Sequence, residues 1–397
     1  MNEKTGRQLT GLEATGIVVG AGVGGGVMAV PFLAAQTGLL AFFPIVVAAF
    51  ALNVLLNLML TEVLLRDGGD LQIVELIRKY LFRGTVGGFF VWMLFGVLTL
   101  SFVASLTAYV VGAGDVLSGL TTIPAMFSRL LVYAFSAIVV FFGIKGVGLS
   151  EKVGLIVILA FSVVIGVGSI GEWSFSVGRG GVGQRSADWK ETLALYGIVM
   201  YSLNAAFAIP QAVCGLGRNP VRSVRAVVGG TAITAGLVTL VTVTAIAVSR
   251  PGISRAVTEV AVIGIGAATG PLVAVAGSLF VIFAMVTTYW SVSLALSDII
   301  SQRLRLGARI SWLIATAPTL GLIAFNLFGF VESMQIAGGI VALVIVAVTV
   351  PLYVRVKSEG AVTDPGWTLG RLASPVILAI FIVGMVLMAL GSSIGAF

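Results

Sequence analysis

The sequence predicts an all-α membrane protein of about eleven transmembrane helices, built as two inverted five-helix repeats with one extra helix. Three observations predict it. The chain is 58% hydrophobic and only 10% charged, against roughly 25% charged for a soluble domain, and its mean hydropathy is +1.13. Its apolar residues fall in runs of about 20, the length that crosses a bilayer as a helix. Two of those runs, about 180 residues apart, are interrupted in the same manner, by Gly20-Ala-Gly-Val-Gly-Gly-Gly-Val-Met-Ala-Val-Pro31 and by Tyr201-Ser-Leu-Asn-Ala-Ala-Phe-Ala-Ile-Pro210.

The spans, in order, are roughly 13 to 38, 40 to 62, 86 to 113, 127 to 144, 153 to 171, 192 to 216, 224 to 249, 271 to 299, 309 to 328, 332 to 354 and 372 to 395. The first follows a short polar head, is too long for a signal peptide's apolar core and leads directly into the second, so it is expected to be retained. Between spans two and three, Leu71, Val74, Ile77 and Leu81 recur at helical spacing among charges, which predicts a short helix on the cytoplasmic surface. The 172 to 190 connection and the Pro251 to Gly270 stretch are candidate external loops or gates. Spans one to five (residues 12–171) form one repeat, spans six to ten (191–355) the second, and the span within 371–397 is an accessory, all in a single transmembrane domain. An odd number of spans per repeat turns the second one over, and Met28-Ala-Val-Pro31 and Phe207-Ala-Ile-Pro210 hold comparable places in the two.

Charge placement fixes an orientation. With the N-terminus in the cytoplasm and the C-terminus outside, 17 of the 23 Lys and Arg residues fall at cytoplasmic ends and 6 outside, as the positive-inside rule requires. The net charge of +7 is therefore read as membrane topology and not as a nucleic-acid surface. The partners implied are a small molecule and the lipid bilayer of a bacterial-type cytoplasmic membrane. The single cysteine, Cys214, lies in a span and makes no intramolecular disulfide.

Glycine weakens helical backbone and proline removes a donor. A broken helix crosses a membrane only where its freed backbone groups line a cavity or bind something, and paired breaks point to a transport site near the bilayer midplane. Unwinding at Gly22, Val23, Gly24, Gly25 and Gly26 would aim the first amides of the following half-helix, and its positive dipole end, at a substrate carboxylate. The competing reading is close helix packing, since Gly20 and Gly24, and Gly22 and Gly26, have GxxxG spacing. The same run matches the dinucleotide fingerprint GxGxxG but has no strand before it. Carbonyls from Ser202, Leu203, Asn204 and Ala205 would accept from an ammonium group, and Asn204 adds a side-chain contact or an interhelical hydrogen bond. Ser101, Ser105 and Tyr109 on span three, and Ser291 on span eight, are further wall candidates.

The run from Gly16 to Phe32, Gly38 soon after it, and Thr61-Glu-Val-Leu-Leu65 closing span two resemble the opening of amino-acid permeases of the aromatic and hydroxy amino-acid type, within the amino acid/polyamine/organocation superfamily. The resemblance implies the leucine-transporter-like five-plus-five fold and amino-acid transport by alternating access. It also implies an ion site: sodium-coupled members of that fold bind the ion with helix-eight hydroxyls and carbonyls from the break in helix one. The matching residues here are Thr287, Thr288, Gly20 and Val23. The rival for the threonines is a hydrogen bond to their own helix. Relatives often carry an acid after the sixth-span proline, where this chain has Gln211, and some proton-coupled relatives have a lysine deep in span five, where this chain has Lys152 at the start.

The chain has no histidine, and no predicted span carries an ionisable group near its midpoint. Acidic candidates sit at span ends: Glu13, Glu62, Asp115, Asp298 and Glu332. Sodium or a proton as the coupling ion, and uncoupled exchange, all stay open. Without histidine or a Cys/His cluster there is no hydrolytic triad and no structural metal site, so no enzyme and no cofactor are expected. The expectation is a secondary transporter for a neutral amino acid, aromatic or hydroxylated. The alternative is a receptor of the same fold, like the germinant-binding proteins of spore formers, which binds without transport.

Overall fold

A computed structural model describes residues 8–173, 188–248, 269–325 and 330–394, and no strand occurs among them. The first predicted span begins at a capping box. Glu13 N donates to Thr10 Oγ1 at 3.3 Å while Thr10 N donates to the Glu13 carboxyl at 2.8 Å, satisfying two of the donors that a helix start leaves open. Helix α1 (Gly11–Val23) runs from there to Gly24, where the chain breaks (φ −44°, ψ −144°), and α2 (Gly25–Thr37) continues it at an angle of 55°. The break is narrower than the predicted unwinding over 22 to 26: Gly22 and Val23 close α1, and Gly25 and Gly26 open α2. Pro31 lies inside α2, away from the bend.

Gly38 (φ 87°) supplies a turn that other residues adopt only with strain, and α3 (Leu39–Asp67) follows. The predicted amphipathic helix is α4 (Ile73–Tyr80), with Ile73, Val74, Leu76, Ile77 and Tyr80 buried. It packs into the end of the bundle more deeply than a surface helix would. Then come α5 (Gly84–Leu120), α6 (Ala125–Phe141) and α7 (Gly143–Ser169). The second break separates α8 (Trp189–Ser202) from α9 (Ile209–Gly215). Pro210 sits at the second residue of α9, where a missing N–H costs nothing. The chain ends with α10 (Pro220–Val248), α11 (Pro271–Leu304), α12 (Ala308–Phe325), α13 (Phe330–Glu359) and α14 (Pro375–Ile394).

Each predicted span falls on a helix or a broken pair. Eight described helices are long and apolar enough to cross a membrane, the bent 11–37 pair is a ninth span, and α6 is a shorter apolar helix. Most of the two predicted external loops lies outside the described residues. One boundary differs in a way that matters: the fifth span was expected to start at 153, but α7 starts at Gly143. Lys145, Glu151 and Lys152 depress the hydropathy there, whereas helix geometry and packing extend through them. Glu151 thereby lies two turns inside the helix and is 1% exposed. The predicted span 153–171 leaves Glu151 out, whereas the structure buries it inside α7.

The broken first span is central. Helix α1 packs against α7, α10 and α11, and α2 packs against α8 and α10. Helix α14 lies at the periphery against α8 and α13. A Cβ on Gly391 would sit 2.1 Å from Leu193 O, so glycine alone permits this approach, and Tyr196 OH donates to Gly384 O at 2.9 Å beside it.

Candidate functional site

The two breaks meet. A Cβ on Gly26 would lie 2.5 Å from Ser202 Cβ, and one on Gly22 would lie 2.9 Å from Thr234 Cγ2 and 3.3 Å from Ser202 O. Between them is a cavity of about 50 Å3. Gly22, Gly24 and Gly26 form its α1–α2 side, and Ser202, Asn204 and Ala205 its α8–α9 side. Ser105 and Tyr109 reach it from α5, and Ser291 from α11. Val23 and Leu203 are buried but are not on the wall. The placement of Gly25 beyond its backbone lies outside the described residues.

The wall has three kinds of surface. The N-terminus of α2 has no side-chain cap at Gly24, and the first N–H groups of a helix have no partner within the helix itself. Across from it, the backbone leaves helical geometry between Ser202 and Ala206. Asn204 Oδ1 accepts from Ala206 N at 2.9 Å, while its buried Nδ2 has no partner among the described residues. That atom is a donor whose burial carries a desolvation cost until something accepts from it. The third surface is aromatic. Phe102 on α5 and Phe207 between α8 and α9 stand edge to face, centroids 4.9 Å apart at 85°, and Tyr109 and Tyr201 complete this side. No charged side chain is among the lining residues.

Phe102, Tyr201 and Phe207 were not singled out by the sequence. Phe102 was within reach of it, since Phe102, Ser105 and Tyr109 are spaced i, i+3, i+7 and share one helix face. Phe207 gave no such signal because it stands in a single 3-10 turn (Ala206–Ala208) and not on an α-helical face. Ser101, also named from the sequence, is buried on α5 but is not a wall residue.

Of the residues matched to an ion site, Thr288 and Gly20 meet beside the cavity. Thr288 Oγ1 lies 2.6 Å from Gly20 O and 2.8 Å from Ala284 O. Thr287 Oγ1 donates to Ala284 O at 3.1 Å, and its methyl faces Gly154, where a Cβ would sit 2.4 Å away. Both hydroxyls therefore bond their own helix, and Thr288 also ties it to α1. Gly24 is pressed against the same side chain, with a Cβ there falling 2.6 Å from Thr288 Oγ1. Gln211, the residue after Pro210, is buried with neither amide atom partnered among the described residues and is not on the wall.

Two broken helices that meet inside a bundle of apolar spans are the arrangement expected of a membrane transport site. Two solved structures share the fold. One is MHP1, a nucleobase-cation-symport-1 family transporter in a closed conformation with bromovinylhydantoin bound; it matches at TM-score 0.63 and 13% identity, over 98% of this chain and 91% of that one. The other is the Eremococcus coleocola manganese transporter in complex with an aromatic bis-isothiourea substituted compound, at TM-score 0.63 and 15% identity, over 97% and 86%. No curated protein matches the chain. The sequence pattern of the tryptophan/tyrosine permease family matches residues 8–390, and the chain belongs to that family.

Proposed function

We propose that this secondary transporter imports an aromatic amino acid across the cytoplasmic membrane, coupled to protons or sodium. The substrate carboxylate takes the free amides at the start of α2, and the ammonium takes carbonyls in the 203–205 linker. Asn204 Nδ2 donates to an acceptor on the substrate. The observation that carries the reading is the Phe102–Phe207 edge-to-face pair on the wall: a substrate ring packed against either one gains the worth of one aromatic pair, about 0.5–1.5 kcal/mol beyond the area buried. The uncharged wall and the family's name support the same class of substrate.

Alternating access requires the wall to move as substrate enters and leaves. Phe207 stands in the short segment linking α8 to α9, where a hinge needs little unfolding. Spans one, two, six and seven rock against the rest, exposing the site to each side in turn, with the N-terminus cytoplasmic and the C-terminus external. The test is uptake of radiolabelled aromatic, aliphatic and hydroxylated amino acids into proteoliposomes. Saturable uptake is expected, with aromatic competitors strongest. Saturable binding without flux or counterflow would replace transport by the receptor reading.

A further inference from the structure

We infer that Glu151 is the coupling group of this transporter: its carboxyl, lodged against the first-span break, holds the monovalent cation, proton or sodium ion, that travels with the substrate. This rests on the transport reading above.

The carboxyl occupies space that only glycine leaves. A Cβ on Gly20 would fall 2.2 Å from Glu151 Oε2, and one on Gly16 would fall 3.0 Å from the Glu151 backbone. Two glycines of α1 thus make a seat for this residue of α7. Ser291 Oγ, on the cavity wall, lies 2.6 Å from Glu151 Oε1 and 3.3 Å from Ile17 O. The carboxyl is one hydroxyl away from the substrate site.

Among the described residues no basic side chain pairs with it. The titratable or charged groups on the elements packed against α7 are Glu13 on α1, Tyr289, Asp298 and Arg303 on α11, Arg222 and Arg225 on α10, and Arg129 and Tyr133 on α6; Lys145 and Lys152 share its helix. Glu13 is engaged at the N-cap of α1, Asp298 receives Gln72 Nε2 at 3.4 Å, and Arg303 pairs with Glu75. None of these bonds to Glu151. A carboxylate buried in a membrane span without a counter-charge is too costly to persist, so it takes up a positive charge.

The surroundings suit that charge. The C-terminal carbonyls of α1, starting at Gly20 O, present the negative end of a helix dipole. With a proton on Glu151, the carboxyl donates to Ser291 Oγ and Ser291 donates to Ile17 O, so each hydrogen has one acceptor. With sodium, the oxygens of Glu151, Ser291 and Gly20 are hard donors. Release of the cation leaves Glu151 charged against α1, which favours separation of α1 from α7. The same step alters the Ser291 hydrogen bond at the substrate wall.

The experiment uses the full chain in proteoliposomes and in detergent. Imposed proton and sodium gradients are applied separately to wild type and Glu151→Gln, and the ratio of gradient-driven accumulation to counterflow is read. The ratio is expected to fall at least tenfold in Glu151→Gln, and whichever gradient drives the wild type names the cation. An unchanged ratio, or loss of accumulation and counterflow together in well-folded protein, overturns the proposal. Thermal stability against pH in choline buffer, and against sodium at fixed pH, is read without any substrate. Wild type should show a midpoint for one cation that Glu151→Gln lacks and that Ser291→Ala shifts about tenfold; identical curves overturn the assignment. If no amino acid is transported, these curves still decide the role of Glu151, and only the substrate reading falls.

Discussion

Gly20, Gly22, Gly24 and Gly26 each meet a different neighbour: the Glu151 carboxyl, Thr234, Thr288 and Ser202. The sequence offered two explanations for this run, a backbone break and close packing, and both operate. Gly24 is the break, and the others admit atoms that any Cβ would displace. Gly24→Leu is therefore expected to reduce uptake at least about a hundredfold while membrane insertion persists, because its side chain must displace Thr288, which ties α11 to α1. Uptake near wild type would remove the first-span break from the site. On the aromatic side, Phe102→Ala should weaken aromatic substrates by about 2- to 13-fold, from the 0.5–1.5 kcal/mol typical of ring pairs, and leave aliphatic competitors nearly unaffected. Competition curves read this directly.

At the scale of elements, one buried carboxyl joins three segments. The Glu62 carboxyl on α3 accepts from Arg66 Nε at 2.8 Å, from Tyr353 OH on α13 at 3.0 Å, and from Leu369 N ahead of α14 at 2.9 Å. Each donor is left unpaired if that carboxyl goes. Removing one partner of a buried ion pair costs about 3–5 kcal/mol, so Glu62→Ala should lower the detergent melting temperature markedly. Tyr353→Phe, losing one hydrogen bond to a charged group, should cost about 1.5–3 kcal/mol. A larger drop for Tyr353→Phe than for Glu62→Ala would show that the carboxyl is not the hub. The sequence ranked Glu62, within Thr61-Glu-Val-Leu-Leu65, with other acids at span ends and did not single out Glu151. Hydropathy even placed Glu151 outside its span. Partners 140 residues away in the case of Ser291, and 291 in the case of Tyr353, are what separate a coupling candidate from a structural anchor.

Over the whole molecule, the basic end is closed by the segment joining α3 to α4. Gln302 Oε1 on α11 accepts from Gln72 N at 2.7 Å, and Gln302 Nε2 donates to Asp70 O at 2.7 Å. Asp70 also pairs with Arg218 between α9 and α10, and Arg303 stacks over Trp92 at 4.2 Å. The connection therefore spans helices that the proposed rocking would separate. The Asp70–Arg218 pair is partly exposed, at 40% and 29%, and such pairs contribute about 0–1 kcal/mol. Asp70→Asn with Arg218→Gln should raise labelling of a cysteine replacing Ala295, a wall residue one turn beyond Ser291, by up to about fivefold from the basic side. The background needs only Cys214→Ser, since the chain has one cysteine. Equal labelling in both proteins would mean the pair does not restrain opening.

The sequence by itself determined the membrane class, the run of spans, the two breaks and most of the wall residues. Each of these is written in local signals: apolar run length, glycine and proline against helix, and hydroxyls on one helical face. It also limited the coupling chemistry by excluding histidine. Only the tertiary structure decided that the break is a single residue, that Phe207 turns its ring to Phe102, and that Glu151 lies buried against Gly20. Those outcomes depend on which helices α1 and α7 touch, and the free energy of a buried carboxyl is set by its neighbours in space and not by those in sequence.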